Sequence, residues 1–287
     1  MPGIAVLQMT SGIDPEANFA VIEAAAREAG DRSGKGASVL FTPEMSILLD
    51  RDRKRAAHWI ESDAPGQMQQ RLQQLAIRAE IDIALGSMPV GSDTPGLWAN
   101  RSFYFSRGGI PARTYDKIHM FDVELSTGET WRESAAYAPG SEAVIVGDSA
   151  IGSLGLTICY DLRFPELFER LGRASCEAIA VPAAFTVPTG TAHWHVLLRA
   201  RAIEATAFVI AAAQVGKHED GRSTYGHSLV VDPWGEVLLD LGGDSPDLGF
   251  CEIDLARIAE VRRQLPALEN KRGVPRYDPD TKPTWLK

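Results

Sequence analysis

Cysteine, glutamate and lysine can together build a thiol hydrolase, supplying a nucleophile, a group that takes and returns its proton, and a cation for the developing oxyanion. Three such residues follow strand-like runs in this sequence. Cys159 ends the apolar, β-branched run Ala150 to Ile158, and the helical pattern Arg163 to Ala174 follows it, all within Gly155-Leu-Thr-Ile-Cys-Tyr-Asp-Leu-Arg-Phe-Pro-Glu166. A strand-to-helix junction offers unpaired N–H groups and a positive helix end, which favour thiolate over thiol. The same placement also suits a buried core cysteine. Glu44, in Thr42-Pro-Glu44, follows the strand Ala37 to Phe41 at the kind of carboxyl end where open α/β sheets bind ligands, although a helix-capping or solvated glutamate fits as well. Lys117 leaves the strand Pro111 to Tyr115 between apolar neighbours that would strip some of its water, or else it snorkels to the surface. In one sheet, the three strand ends converge on one crevice.

The elements that must position these residues read in order. Gly3 to Met9 is a strand, Asp14 to Gly30 a helix capped by Asp14 with Pro15 at its first position, and Ala37 to Phe41 a second strand. Gly30-Asp-Arg-Ser-Gly-Lys-Gly36 has one residue too few between its glycines for a phosphate loop and precedes a strand, so it reads as a solvated loop. A helix over Pro65 to Glu80 leads to the strand Ile81 to Met88, and Asn100 to Ser106 pairs with Pro111 to Tyr115 as a hairpin. Val123 to Gly140 is long and irregular, as covers over sites often are. Strands Ala143 to Val146 and Ala150 to Ile158 turn at Gly147-Asp148. Beyond Cys159 come the strand Glu177 to Val181, the helix Ala192 to Thr206 and the strand Ala207 to Ala213. They are followed by strands Tyr225 to Val231, Glu236 to Leu239 and Leu248 to Ile253, and the helix Leu255 to Gln264. The division expected is one domain over 1–270 and a C-terminal arm over 271–287.

With 287 residues, 45% hydrophobic and 23% charged, the chain is an ordinary globular one with a large core. A net charge of -9 with scattered basic residues argues against nucleic acid and acidic membrane surfaces as partners. No apolar run is long enough to span a bilayer, and the N-terminus lacks the basic region of a signal peptide. Three widely spaced cysteines, Cys159, Cys176 and Cys251, fit a reducing cytoplasm better than a disulfide framework.

Thr-Pro-Glu44, Tyr-Asp-Lys117-Ile-His and Thr-Ile-Cys159-Tyr-Asp-Leu-Arg-Phe-Pro-Glu together resemble the signature blocks of the nitrilase superfamily of carbon–nitrogen hydrolases. Ala192 to Glu204 and Tyr225-Gly-His-Ser-Leu-Val-Val-Asp-Pro-Trp-Gly235 are similar to its Nit branch. The resemblance implies an α/β fold, a four-layer αββα sandwich, assembled as a homodimer or larger homo-oligomer through the helices on the nucleophile side. It implies Cys159 as nucleophile, Glu44 as general base and acid, Lys117 as stabiliser of the tetrahedral intermediate and Glu133, in Trp-Arg-Glu-Ser, as a second active-site glutamate. The backbone N–H of Tyr160 would complete the oxyanion site. No cofactor is implied. The expected reaction is hydrolysis of a small carboxylated amide, such as deaminated glutathione or a similar keto-acid amide, through a thioester with release of ammonia. N-carbamoyl amino acids, omega-amides and nitriles are alternative substrates, and a catalytically silent scaffold is the alternative outside enzymes.

Arg163, Phe185 and His193 are the expected substrate contacts, with Arg199 and Arg201 as further candidates for a guanidinium fork on a carboxylate; helical arginines also serve as ion-pair partners. His193, His195, His218 and His227 lack metal-site spacing, since the first two sit two apart on a helix and face different directions, so they read as hydrogen-bonding residues with no metal. The cover segment Leu125 to Trp131 is not matched to the amidases of the Nit branch.

Overall fold

The computed structural model describes residues 1–31, 37–124, 128 and 130–274. In chain order its first half contains β1 (Gly3–Gln8), α1 (Pro15–Asp31), β2 (Val39–Phe41), α2 (Arg53–Ile60), α3 (Ala64–Arg78), β3 (Asp82–Gly91), β4 (Trp98–Phe105), β5 (Arg113–Asp116), β6 (Asp122–Glu124) and β7 (Thr130–Arg132). There follow β8 (Val144–Ser149), β9 (Gly152–Leu156), α4 (Pro165–Arg173), β10 (Ala178–Ala180), α5 (Val187–Ala205), β11 (Phe208–Ala211), β12 (Val215–Lys217), β13 (Ser223–Tyr225), β14 (Leu229–Val231), β15 (Val237–Asp240), β16 (Asp247–Glu252), α6 (Ala256–Gln264) and α7 (Ala267–Asn270).

Two six-stranded sheets form, in the orders β16-β1-β2-β3-β4-β5 and β15-β14-β11-β10-β9-β8. Strands β1 to β3 are parallel in the first, and β9 to β11 in the second. Alternation along β1 shows the layering. Ile4 and Val6 share a core with Leu154, Leu156 and Ile179 of the second sheet, whereas Ala5 and Leu7 pack with Phe19 and Ile22 of α1 and Leu72 and Leu75 of α3. Trp194 and Leu198 of α5 and Phe168 of α4 cover the second sheet's far face. The result is the four-layer αββα sandwich.

Several elements differ from their expected form. Three strand ends do carry Glu44, Lys117 and Cys159, but on two sheets: β2 and β5 belong to the first and β9 to the second. Periodicity identifies strands, not their partners. The run Tyr225 to Val231 divides into β13 and β14. Gly226 and His227 both take positive φ there, and β13 pairs with β12 outside the main sheets. The β8–β9 turn falls at Ala150 and Ile151, because β8 continues through Gly147 with a register shift. Helix α5 starts at Val187, five residues earlier than its apolar pattern, with Pro188 in its first turn where a missing N–H costs nothing. The irregular stretch after Val123 holds the β6–β7 hairpin and a 3₁₀ turn at Glu133–Ala135. Most of the expected loop at Gly30 to Gly36 and arm at 271–287 lies outside the described residues, although Lys271 pairs with Glu169 of α4.

The loop carrying Glu44 runs hard against β3. A Cβ on Gly86 would lie 2.2 Å from the carbonyl oxygens of both Thr42 and Pro43, so only glycine lets the strand pass this close. Gly86→Ala is expected to lower stability by about 1–3 kcal/mol in chemical denaturation and to displace the Glu44 loop. Unchanged stability in that measurement would mean the loop is not packed as described.

Candidate active site

Each of the three strand ends is fixed by backbone contacts before any side chain is considered. Met45, after Glu44, has φ 56°, and its N–H donates to the Ser87 hydroxyl at 2.9 Å. The Glu44 carbonyl accepts from Gln214 Nε2 at 2.9 Å. Lys117 follows β5, its N–H donating to the Asn100 carbonyl at 3.0 Å and its own carbonyl accepting from Gly140 at 2.8 Å. Cys159 follows β9 in a left-handed conformation, φ 47°, with its N–H on the Pro182 carbonyl at 2.8 Å. Such a conformation costs a non-glycine residue of order 1–3 kcal/mol and persists only where surroundings impose it.

Asp161 imposes it. One oxygen of its buried carboxylate accepts from the Ile158 N–H at 2.9 Å and the Tyr115 hydroxyl at 2.6 Å. The other accepts from the His119 N–H at 3.1 Å and lies 2.7 Å from His119 Nδ1. The Tyr115-Asp-Lys117-Ile-His119 stretch and the Cys159 turn are thereby tied together across the sheet interface.

The side chains converge on a buried ion cluster. Lys117 Nζ lies 2.9 Å from Glu44 Oε1 and 2.9 and 2.8 Å from the two oxygens of Glu133, with only 2% of the lysine side chain exposed. Asn100 Nδ2 bridges the carboxylates, 2.9 Å from Glu44 and 3.2 Å from Glu133. The N–H groups of Ala184 and Phe121 donate to Glu44 Oε2 at 2.9 Å and Glu133 Oε2 at 2.6 Å. Burial would push the Glu44 carboxyl up, but the charge and hydrogen bond of Lys117, with help from Cys159 and Asn100, hold it below its ordinary value. Burial would likewise lower Lys117, yet Glu133 and Glu44 keep it well above its ordinary value. Cys159 goes the other way from the sequence expectation. Burial and the adjacent Glu44 charge push its thiol well above the ordinary range. The helix dipole does not counter this, because α4 begins only at Pro165, beyond an intervening 3₁₀ turn.

Glu44, Lys117, Glu133, Cys159, Tyr160 and Phe185 all line one cavity of about 270 Å³. Arg163 and His193 do not; their side chains meet each other at 3.3 Å, and Arg163 stacks over the rings of Tyr160 and Phe185. Arg199 donates to the Gly235 carbonyl, and buried Arg201 donates to the Leu162 carbonyl and pairs with Glu204, so both hold α5 in place. The arginines that line the cavity instead are Arg51, Arg53, Arg132 and Arg222, on segments to which the sequence assigned no helix or strand. Asn100 and Ala184 were also missed. An asparagine inside a strand, where that residue is disfavoured, was the available signal for the first; a backbone N–H leaves none. Outside the cavity, His195 and His227 both reach Asp240, at 3.0 and 2.9 Å, a contact that spacing along the chain could not reveal. These are the described His, Cys and acidic groups whose donor atoms gather within 4.8 Å.

An αββα sandwich with a cysteine, a glutamate and a lysine gathered at facing sheet ends holds the parts of a thiol hydrolase. The comparisons specify it further. The profile "Carbon-nitrogen hydrolase" matches residues 3–263. Deaminated glutathione amidase of Yersinia enterocolitica is 40% identical over 277 residues, covering 94% of this chain and 93% of that one. The crystal structure of the Caenorhabditis elegans NitFhit protein superposes with a TM-score of 0.85 at 35% identity, covering 94% of this chain and 65% of that one. A mutant of an amidase from Nesterenkonia sp. AN1, whose structure shows the result of Michael addition of acrylamide at the active-site cysteine, superposes with a TM-score of 0.76 at 25% identity, covering 92% of this chain and 98% of that one. The chain belongs to the carbon–nitrogen hydrolase family and is a cysteine-dependent amidase. Among the described residues, no helix is long and apolar enough to cross a membrane.

The ion cluster predicts a stability signature. Lys117→Met leaves two buried carboxylates without their cation and should cost about 3–5 kcal/mol of unfolding free energy. Adding Glu133→Gln should return part of that loss. A double variant no more stable than the single one would show that Lys117 and Glu133 are not coupled.

Proposed function

We propose that the chain hydrolyses a keto-acid amide of the deaminated glutathione class through a Cys159 thioester. The observation that carries the reading is the buried Lys117 held between Glu44 and Glu133 beside Cys159 in one cavity, in a chain 40% identical to a deaminated glutathione amidase. The resting pair is an ionised Glu44 and a neutral thiol. Glu44 accepts the thiol proton as sulfur attacks the amide carbonyl, so that no free thiolate accumulates in the buried site. Lys117, kept cationic by Glu133, and the N–H of Tyr160 at the open start of the 3₁₀ turn hold the oxyanion. Collapse breaks the C–N bond, and Glu44 returns its proton to the departing nitrogen. The same carboxylate then takes a proton from water, whose oxygen attacks the thioester carbonyl and displaces the sulfur; the proton passes from Glu44 to the departing sulfur, releasing the acid and restoring the resting pair.

Both amide nitrogens of deaminated glutathione are substituted, so its leaving group is an amine rather than the ammonia first expected. Ammonia departs only from primary amides such as alpha-ketoglutaramate. The assay must therefore follow both products across deaminated glutathione, alpha-ketoglutaramate, N-carbamoyl amino acids and nitriles. Turnover of a nitrile with none of any amide would overturn the reading. In the same assay Lys117→Met is expected to lose about 10²–10³ in kcat, the effect of removing an oxyanion donor; a loss under tenfold would remove lysine from that role.

A cytoplasmic setting suits three cysteines that form no disulfide. Self-association suits an apolar face on and around α5, where Val196 is 68% exposed and Ile203 lies against Gly235 beside exposed Trp234, Val237 and Leu238. A homodimer or larger species is expected in light scattering, shifted toward monomer by Val196→Glu. A parent that is monomeric at micromolar concentration would exclude this assembly.

A further inference from the structure

The arginines around the cavity are unequal in what already neutralises them. The acidic lining residues are all engaged: Glu44 and Glu133 by Lys117, and Asp50 by Arg55 through bonds of 2.6 and 2.8 Å. Arg222, in the turn between β12 and β13, gives Nε and Nη2 to buried Asp220 at 2.8 and 2.7 Å. Arg51 and Arg53 pair with no carboxylate among the described residues. Two of these cations share one ring. The Arg51 and Arg222 guanidinium carbons lie 5.5 and 5.0 Å from the centre of the Trp131 indole, whose buried Nε1 has no hydrogen-bond partner. An acidic chain of net charge -9 therefore surrounds this cavity with an excess of positive charge. The Arg51 guanidinium has no carboxylate partner of its own among the described residues, and a free guanidinium fork near an unpartnered indole N–H suits a carboxylate's flat pair of oxygens.

The geometry points to Arg51, Trp131 and Arg222 as a subsite for a substrate carboxylate remote from the scissile amide. The site then takes anionic amides, oriented with the carbonyl at Cys159 and the acid at this rim. This rests on the amidase reading of the same cavity and adds which residues read the acid. Arg51 sits on the loop that also carries Glu44 and Trp131 on the strand before Glu133, so recognition and catalysis share their supports.

Glutarate, a five-carbon dicarboxylate, is the probe. Calorimetric titration of the full chain should show binding that weakens with added salt. Arg51→Gln, on an exposed residue, should weaken it by about 10- to 100-fold, the loss of one charge-assisted bond. Arg222→Lys, which keeps a cation opposite Asp220, should weaken it less. With a carboxylated amide and its methyl ester as paired substrates, Arg51→Gln should cut the acid-to-ester ratio of kcat/KM by a similar factor, through KM. Absence of glutarate binding to the parent, or equal binding by parent and Arg51→Gln, overturns the subsite. Glutarate binding that depends on Arg51, with no turnover of any carboxylated amide, leaves the subsite standing and removes the amidase reading instead.

Discussion

A cation deprived of water between two carboxylates is the constraint from which the chemistry of this protein follows. Removing any of these charges from solvent costs several kcal/mol after relaxation, and their mutual attraction offsets it with the help of hydrogen bonds from Asn100 and the Ala184 and Phe121 N–H groups. Lys117 at 2% exposure therefore requires both Glu44 and Glu133, and they require it. That dependence sets the direction of each shift: the lysine holds the Glu44 carboxyl below its ordinary range against burial, and burial together with the Glu44 charge holds the Cys159 thiol above its own. The cluster is poor evidence for stability as such, since an apolar packing of equal volume would often hold the fold as well. It is better understood as a local violation of the rules of core design that the rest of the structure supports.

That support is mostly backbone. Cys159 and Met45, each with positive φ, flank the cavity, and both are stretched into place by named partners: Asp161 and the Pro182 carbonyl for the cysteine turn, Ser87 and Gln214 for the glutamate loop. Asp161 matters more than its distance from the reacting atoms suggests. By collecting Tyr115, His119 and Ile158 on one carboxylate, it locks the end of β5 to the end of β9, and so holds lysine and cysteine in register.

That Glu44, Lys117 and Cys159 meet at one cavity was legible because motif spacing survives translation into strand ends, and the four layers followed once the family was recognised. Other features were not legible for physical reasons. Strand patterns cannot say that Cys159 lies on a different sheet from Glu44 and Lys117, because period-two alternation is the same whichever neighbour a strand finds. The direction of the Cys159 shift depends on burial and on a carboxylate 115 positions away in sequence, neither of which is local. Arg51 and Arg222 look like loop arginines until Trp131 is placed beside both, while Arg163 lies over the Phe185 ring and Arg201 donates to the Leu162 carbonyl, contacts that no spacing announces. Helix α2, with Arg53, Lys54 and Arg55 in its first turn, has too weak an apolar stripe to be read; its Asp52 cap makes it visible in three dimensions.

The division of the site between two sheets has a consequence for the chain while it is being made. Glu44 and Lys117 emerge from the ribosome well before Cys159, and neither half alone holds a thiol next to its proton acceptor. On the proposed mechanism, a nascent or half-folded molecule therefore carries an ordinary cysteine with no base, and its nucleophile is assembled only when the second sheet docks on the first. Activity on that mechanism is a property of the finished sandwich, and an incomplete chain lacks the means to attack the amides around it.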